Sequence, residues 1–397
     1  RFLLSKGHAC PVLYAALAMK AAILRLHLFG EWQRTPRDTF HPRPRILAIN
    51  PGSTSTKIAV FKNKEQIFTK NIKHSNEELA PFDKITDQFE FRKDVIQKVL
   101  SDEGIKMEDI HIVMGRGGLV RPIPSGVYAV NEKMKADLRN SPIGEHASNL
   151  GGLIADHIAH ELPNAKAYIA NPVVVDEMED VARITGSPLF ERRSVFHALN
   201  QKATARRHAG IQDKKYEEMN LIIAHLGGGI SVGAHKQGRV IDVNHAIGGE
   251  GAFSPERAGT VPSITLAELC YSGKYTFKEL KKMLIGAGGL SAYLGTNSAY
   301  EVEQMVKEGD EKATLIYDAM AYQVAKQIGE MAAVLEGDID GILITGGVAY
   351  DKWFCERVRM RVHRFAPVFI YPGENEMEAL AMNGYRVIRG EAEIKEY

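Results

Sequence analysis

Three kinds of residue in this chain could do chemistry together. They are glycine- and hydroxyl-rich turns after apolar runs, arginines set among glycines, and acids or histidines beside strand ends. The first turn is Asn50-Pro-Gly-Ser-Thr-Ser-Thr-Lys57 and the second is His225-Leu-Gly-Gly-Gly229. Small residues let backbone N–H groups approach an anion closely and form a concave nest. Ser53, Thr54, Ser55 and Thr56 add hydroxyl donors, and Lys57 adds a point charge. Gly227, Gly228 and Gly229 leave backbone alone. One such turn reads equally well as an ordinary hairpin, whose turns are also rich in Gly and Ser. Two in matching positions favour phosphate, although neither has the Gly-x-x-x-x-Gly-Lys-Ser/Thr spacing of a P-loop. His225 stands in the second unit where Asn50 stands in the first, so both are expected to project toward the same anion.

The elements that must position these groups follow from periodicity. Ile46–Ile49 and Ile58–Phe61 read as strands flanking the first turn. The run from Leu221, a strand after the second turn and Val240–Val243 repeat that design. Two halves of one architecture facing a shared ligand are therefore expected. Ile110–Met114 is another buried strand, and it delivers Gly115-Arg116-Gly117-Gly118 to a sheet end. Ligands of open α/β sheets sit at such ends. The glycines strip away competing side chains, which makes Arg116 an anion binder before a surface cation. Tyr168–Val175 reads as a strand ending on Asp176, a place that suits a metal–phosphate role. Glu177, Glu179 and Asp180 read as solvated or helix-capping acids. Gly341–Thr345 is a buried strand feeding Gly346-Gly347, where a nucleoside could lie against backbone. Val368–Tyr371 is the last core strand.

Helices are expected over Phe91–Glu103, over Ala198–His208, over Glu301–Leu335 with a break near Gly309, and over Ala379–Glu391. Another is expected to start at Ser141-Pro142, read as N-cap and N1, and to run to about Glu161. Lys202, Arg206 and Arg207 are placed on a solvated face of their helix.

The chain has 397 residues, 45% of them hydrophobic and 25% charged, with a formal net charge of +1. That length can bury a large core and suits two domains. The near-zero charge carries no broad field for nucleic acid or membrane. Cys10, Cys270 and Cys355 are far apart and read as buried free thiols of a reducing compartment. The apolar stretch from Pro11 to Trp32 is interrupted by Lys20, Arg25 and His27, so it makes a poor membrane span. Residues 1–44 do not fit the rest. Their Leu3-Leu-Ser-Lys-Gly-His-Ala-Cys10 resembles a fragment of transketolase, and they read as a loosely helical extension outside the mechanism.

From about Arg45 onward the chain resembles the acetokinase family, in the superfamily of acetate and sugar kinases, Hsp70 and actin. The resemblance rests on Asn50–Lys57, Gly115–Gly118, Gly144–Gly151, Pro172–Asp180, Phe196-His-Ala-Leu-Asn200, His225–Gly229 and Pro255-Glu-Arg-Ala-Gly259. Gly346-Gly347 and Asn375-Glu376 complete it. It implies an α/β fold of duplicated ribonuclease H-like (actin-like ATPase) domains with a cleft between them. The expected domains are 45–172, completed by the helix at about 378–397, and 173–377. It implies ATP and Mg2+ as cofactors, with Asn50, Ser53, Ser55, Lys57, His225, Gly227–Gly229, Gly346 and Gly347 around the nucleotide. Arg116, Asp176, His197 and Arg257 become the catalytic residues, and Glu376 with Asp176 the metal ligands.

The implied reaction is phosphorylation of a short-chain carboxylic acid by ATP, with butanoate first. Gly117 and Gly118 replace bulkier valines of acetate-using relatives, which is expected to leave room for a longer acyl tail. Ile143, Phe196 and Pro255 would wall it. Isobutyrate, propionate and acetate are the alternative acceptors, and a non-catalytic nucleotide-binding protein is the alternative class. A cytoplasmic homo-oligomer, dimer or larger, without nucleic-acid or membrane partners, completes the expectation. One departure stands out: Ser298 and Tyr300 occupy positions where relatives carry Asp and Arg beside the nucleotide.

Overall fold

A computed structural model describes residues 44–397; residues 1–43, on which the expected loosely helical segment and Cys10 fall, lie outside the described residues. β1 (Arg45–Pro51) is apolar on both faces because both faces are covered, and Ile46, Leu47, Ala48 and Ile49 are fully buried. Each such Ile or Leu contributes about 2 kcal/mol by transfer from water. The chain reverses into β2 (Ser55–Lys62) and again into β3 (Glu65–Lys73), all antiparallel. β4 (Ile110–Arg116) lies parallel to β1, β5 (Val127–Ala129) is antiparallel to β6 (Lys166–Ala170), and β6 is parallel to β4.

The second sheet repeats the plan. β7 (Asn220–Leu226), β8 (Ile230–Lys236) and β9 (Arg239–Val243) form an antiparallel meander. β10 (Gly341–Gly346) and β11 (Val368–Pro372) add parallel strands on the β7 side. The orders β6-β4-β1-β2-β3 and β11-β10-β7-β8-β9 correspond strand for strand. β12 (Ile394–Lys395) pairs with β5 and extends the first sheet to seven strands. The helices correspond too: Phe89–Asp102 and Asn149–His160 in the first half, Glu311–Val334 and Lys352–Val362 in the second. A further helix follows each last parallel strand, Ala198–Ile211 and Glu376–Ile388.

Those last two helices form the seam. Glu376–Ile388 packs back on β1, β2, β4 and β6, so its Met377, Leu380 and Ala381 share a core with Ile46, Ala48 and Met114. Ala198–Ile211 packs on that helix and on β7 and β10. Its Leu199 joins the first core, while Ala205 and Ala209 pack with Leu221 and Ile223 of the second sheet. The second half has its own core, in which Met320, Val324 and Ile328 lie among β7, β8 and β10 residues.

Several expectations are corrected. Ser141 closes a helix, Glu132–Asn140, in the left-handed region at φ 50°; the next helix begins only at Asn149. β6 stops at Ala170, and Asn171 leaves the strand at φ 41°, so Asp176 does not sit at a strand end. The solvated face assigned to Lys202 and Arg206 is not solvated. Lys202 is fully buried, pairs with Glu177 at 2.8 Å and is pulled down to about 8 by burial. Glu177 is thus an internal counter-ion, not a surface acid. Cys355 is buried as expected, whereas Cys270 is exposed.

Candidate active site

β4 ends on Arg116, and the helix packed against it begins on Glu376. That packing brings the two side chains into an ion pair between Arg116 Nη1 and Glu376 Oε1, both largely shielded from solvent. Asn50, at the end of β1, donates from Nδ2 to Glu376 Oε2 over 2.5 Å. At the equivalent end of β7, His225 faces a second acid of the same segment. Its Nε2 lies 3.0 Å from Glu374 Oε1, off the line of the ring N–H, and its Nδ1 lies 2.8 Å from Asn200 Oδ1. The His225 contact lowers the Glu374 carboxyl below its ordinary value, with Arg116 and Lys57 adding to the shift. So Asn50 and His225 hold corresponding places and each meets an acid from the stretch joining β11 to the last helix.

His197 caps the start of the seam helix and stacks on His225, with ring centroids 3.8 Å apart and planes 10° from parallel. A chain of hydrogen bonds runs inward from it. His197 Nδ1 lies 2.8 Å from Ser231 Oγ. Gln201 Nε2 donates to Ser231 Oγ over 2.8 Å and to the Ser231 carbonyl over 3.1 Å. Gln201 Oε1 lies 2.9 Å from His235 Nε2, and Tyr216 Oη lies 2.7 Å from His235 Nδ1. A carbonyl only accepts, so the Ser231 carbonyl fixes which end of Gln201 is nitrogen. His235 therefore donates from Nε2 and accepts from Tyr216 at Nδ1. Ser231 Oγ accepts from Gln201 and from the His197 backbone amide (3.4 Å), which engages both its lone pairs, so its own hydrogen goes to His197 Nδ1. Burial holds both histidines well below 6.5, so each ring is neutral. The single hydrogen of His197 is left on Nε2, as a donor for an incoming anion.

Arg257 arrives from a loop folded over the second turn. Its guanidinium lies against Gly229, where an added Cβ would come 1.8 Å from Nη1. Any larger residue at 229 would displace the cation, which is the physical reason for glycine there. Arg257 Nη1 donates to the Ala246 carbonyl over 2.6 Å, and Ser254 Oγ donates to the Gly228 carbonyl over 2.6 Å. Burial lowers the Arg257 pKa. Arg116 and Arg257 both depress His197, and both depress His146, after burial. The two arginines from different halves thus bear on the same pair of histidines. His146 lies inside a stretch that carried the family resemblance, yet nothing about its spacing marked it.

The first turn rests on a residue that sequence reasoning missed. Arg92 is 1% exposed. It donates from Nη1 to the carbonyls of Gly52 (2.7 Å) and Ser55 (3.1 Å) and to Thr56 Oγ1 (3.1 Å), and from Nη2 to the Ser53 carbonyl (3.0 Å). Gln88 Oε1 accepts from Nε and Nη2 of the same guanidinium. Burial pushes Arg92 down to about 10. With the carbonyls drawn inward, Ser53, Thr54 and Lys57 stay exposed and Ser55 half-exposed. Thr56, expected among the hydroxyl donors, is fully buried against His74 and Arg92 instead.

Other expected site residues lie apart from this cluster. Both oxygens of Asp176 are held by Arg183 in a two-pronged pair at 2.7 Å. Gly117 and Gly118 do not free space for a ligand. A Cβ at 117 would come 2.6 Å from Pro172 Cβ, and one at 118 would come 2.5 Å from Asn149 Oδ1. The protein itself fills the room that their missing side chains leave. Phe196 is core, packed with Val175, Val240 and Val243, and Pro255 is buried; Ile143 is exposed. Gly346, at φ +95°, bridges to Gly373, and Gly347 borders open space. Ser298 caps the helix Ala299–Lys307, accepting from the Glu301 amide over 3.2 Å, and Tyr300 is exposed.

Among the described residues no three His, Cys, Asp or Glu side chains form a metal cage. Magnesium needs none, since it takes one or two carboxylates and otherwise waters and substrate phosphates. Glu376, beside the first turn, fits that chemistry once Arg116 or Asn50 gives up one of the two carboxylate oxygens. Asp176, saturated by Arg183, does not fit it in this arrangement.

The duplicated β-meander plan with its seam helices is the actin-like ATPase fold. An acetate kinase of Porphyromonas gingivalis has it, with a TM-score of 0.70 and 20% identity, covering 87% of this chain and all of that one. A propionate kinase of Francisella tularensis has it with a TM-score of 0.66 and 18% identity, covering 86% and 98%. The family model described as the acetokinase family matches residues 187–391. Butyrate kinase 2 of Clostridium acetobutylicum is 55% identical over 353 residues, covering 89% of this chain and 99% of that protein. The chain belongs to the acetokinase family. Among the described residues no helix is long and apolar enough to cross a membrane.

Proposed function

We propose that the chain transfers the γ-phosphoryl group of ATP to a short-chain carboxylate, butanoate first, giving butanoyl phosphate and ADP. The observation that carries this reading is the convergence of Arg116, Arg257 and the Nε2–H of His197, from both halves, beside two phosphate-type turns. A carboxylate and a triphosphate repel each other. Aligned cations that need no reorganisation lower that barrier, and no covalent enzyme intermediate is required. In this reading Arg116 leaves Glu376 in part to hold the acyl carboxylate. His197 and Arg257 steady the equatorial oxygens in flight. Asn50, Ser53, Ser55, Lys57 and Gly227–Gly229 hold the phosphates, with Gly346 and Gly347 against the nucleoside. Magnesium at Glu376 would supply charge neutralisation on the phosphates. Asp176 could join it only by releasing Arg183.

The choice of butanoate draws on the 55% identical relative and not on Gly117 and Gly118. Each methylene buried is worth about 0.8 kcal/mol, so neighbouring chain lengths should differ only several-fold. The two sheets, as domains 45–172 with the last helix and 173–377, would close about the phosphates and exclude water. A cytoplasmic homo-oligomer completes the proposal. The test is acyl phosphate formation, trapped as hydroxamate, with ATP, magnesium and acids from acetate to hexanoate, including isobutyrate. A maximum at butanoate is expected. A maximum at acetate would remove the chain-length assignment, and no product with any acid would overturn the reaction.

A further inference from the structure

Behind the site, on the seam between the two halves, lies a cavity of about 400 Å3. Its walls come from both seam helices, from the β2–β3 turn of the first sheet and from the end of β11 in the second. Lys64, in the β2–β3 turn, is at the opposite end of β2 from the phosphate turn, so the cavity runs along the seam helices from Thr345, Gly373 and Asn375, which adjoin the site, to the rear of the first sheet. Four cations line it: Lys64, Arg206, Arg207 and Arg386. Glu378 is the one carboxylate in the lining. Among the described residues none of the four cations is ion-paired with an acid.

They are held by other means. Lys64, Arg206 and Arg207 each lie over a tyrosine ring, those of Tyr385, Tyr216 and Tyr371. Arg386 reaches the Glu391 carbonyl. Arg206 Nε is buried with no hydrogen-bond partner. Burial and the nearby Arg386 both lower the Arg206 pKa. Lys64 and Arg207 are exposed, whereas Arg206, with Glu217 and Glu177 acting on it from a distance, keeps a buried donor that an anion in the cavity could satisfy. The floor, meanwhile, includes the apolar side chains of Ala203 and Met382. The volume exceeds that of a lone phosphate and falls in the range of small-molecule sites.

We propose that this seam cavity is a binding site for a small organic dianion with an apolar body, a phosphate monoester in the first instance. Arginine forks and a lysine recognise the charged head, and the apolar floor takes the body. Asn200 both lines the cavity and meets His225 across 2.8 Å, so an occupant touches the far side of the residue that orients the active-site histidine pair.

The test is calorimetric titration of the full chain with phenyl phosphate, without ATP or acyl substrate, so it stands or falls apart from the kinase reading. Three proteins are compared: wild type, the triple variant Lys64→Gln/Arg207→Gln/Arg386→Gln, and Arg257→Gln in the other site. Thermal melts check that the variants are folded, and buried Arg206 is left untouched for that reason. The wild type and Arg257→Gln are expected to bind alike, and the triple variant about tenfold or more weaker. No heat from the wild type, or full binding by the triple variant, would overturn the site. So would binding lost in Arg257→Gln and kept in the triple variant.

Discussion

The two phosphate-type turns hold the same place in their sheets and are built in opposite ways. The first keeps its side chains. Ser53, Thr54 and Lys57 face outward because Arg92 binds the carbonyls of Gly52, Ser53 and Ser55 from beneath. The second has given its side chains up. Gly229 lies under the Arg257 guanidinium, and a Cβ on Gly227 would meet Glu374 and His225 at 3.0 and 3.2 Å. One turn is itself the binder, supported from below. The other is a floor on which side chains from elsewhere are laid. Strand order sets where an anion can sit, and what packs behind or in front of the turn sets which donors meet it.

The comparison breaks most sharply at Gly229. Its backbone is outside the left-handed region, so alanine is tolerated conformationally, but the new methyl would displace Arg257. Gly229→Ala should lower kcat about a hundredfold, close to the loss in Arg257→Ala, because both remove one preorganised cation. The double variant should be little worse than either single one. Additive losses in steady-state kinetics would show that the glycine serves something other than Arg257.

On the other side, Arg92→Met removes the support of the first turn. It strands several buried acceptors, each costing about 1–3 kcal/mol when left unmet. A loss of about 3 kcal/mol in denaturant unfolding is expected, with a raised KM for ATP. Unchanged stability would mean that the turn holds its own shape. Next in size is Ser231→Ala. It removes the hydroxyl that fills His197 Nδ1 and frees the ring to carry its hydrogen there. A fall of about tenfold in kcat is expected, with nitrogen NMR showing His197 shifted toward the Nδ1–H form. A normal tautomer in that variant would sink the hydrogen-bond assignment.

The buried relay also sets a pH dependence. His197 and His235 are held well below 6.5 in the fold and titrate near 6.5 when unfolded. The unfolded chain therefore binds more protons below that pH, and stability falls as pH falls. Above 6.5 their contribution is fully present. Below it, each histidine should cost about 1.4 kcal/mol per pH unit until its folded pKa is reached. Unfolding midpoints that stay flat from neutrality to about pH 5.5 would contradict the buried neutral state.

These groups were unequally legible in the sequence. β1 and β7 could be read because strands buried on both faces are continuous apolar runs, and the turns because their glycines and hydroxyls follow at once. Arg92 left a signal that went unused: it sits four residues before Ile96 and eight before Leu100, on the apolar face of its helix. A charge there is either an error of phase or a buried tie. Lys202 and Arg206 were assigned to solvent because periodicity reports spacing, and their helix is covered on one side by the second sheet and on another by the helix Glu376–Ile388. Ser141-Pro142 resembled a helix start, yet the left-handed φ of Ser141 ends one. Asp176 was tied to a strand that stops at Ala170, since the β-branched run Val173–Val175 reads as a ladder, whereas the chain turns there and the Val175 amide donates back to the Pro172 carbonyl over 3.0 Å. Gly117 and Gly118 show the limit of reading space from a missing side chain, because only the fold says who fills it.

The smallest expected effect is the most discriminating. Both turns contain glycine, and the same argument from close anion approach covers Gly52 and Gly229 alike. The structure separates them. A Cβ on Gly52 would meet only Ser55, at 3.4 Å from its carbonyl oxygen and 3.6 Å from Oγ, which is ordinary contact. No positive φ requires glycine there. If protein packing decides, Gly52→Ala should change kcat and KM for ATP by less than about twofold and gain a few tenths of a kcal/mol from a stiffer unfolded chain. A loss comparable to that of Gly229→Ala would instead mean that the phosphate itself occupies the space beside Gly52. The first turn would then use bare backbone as well as hydroxyls, and the contrast between the two turns would narrow to Arg92 alone.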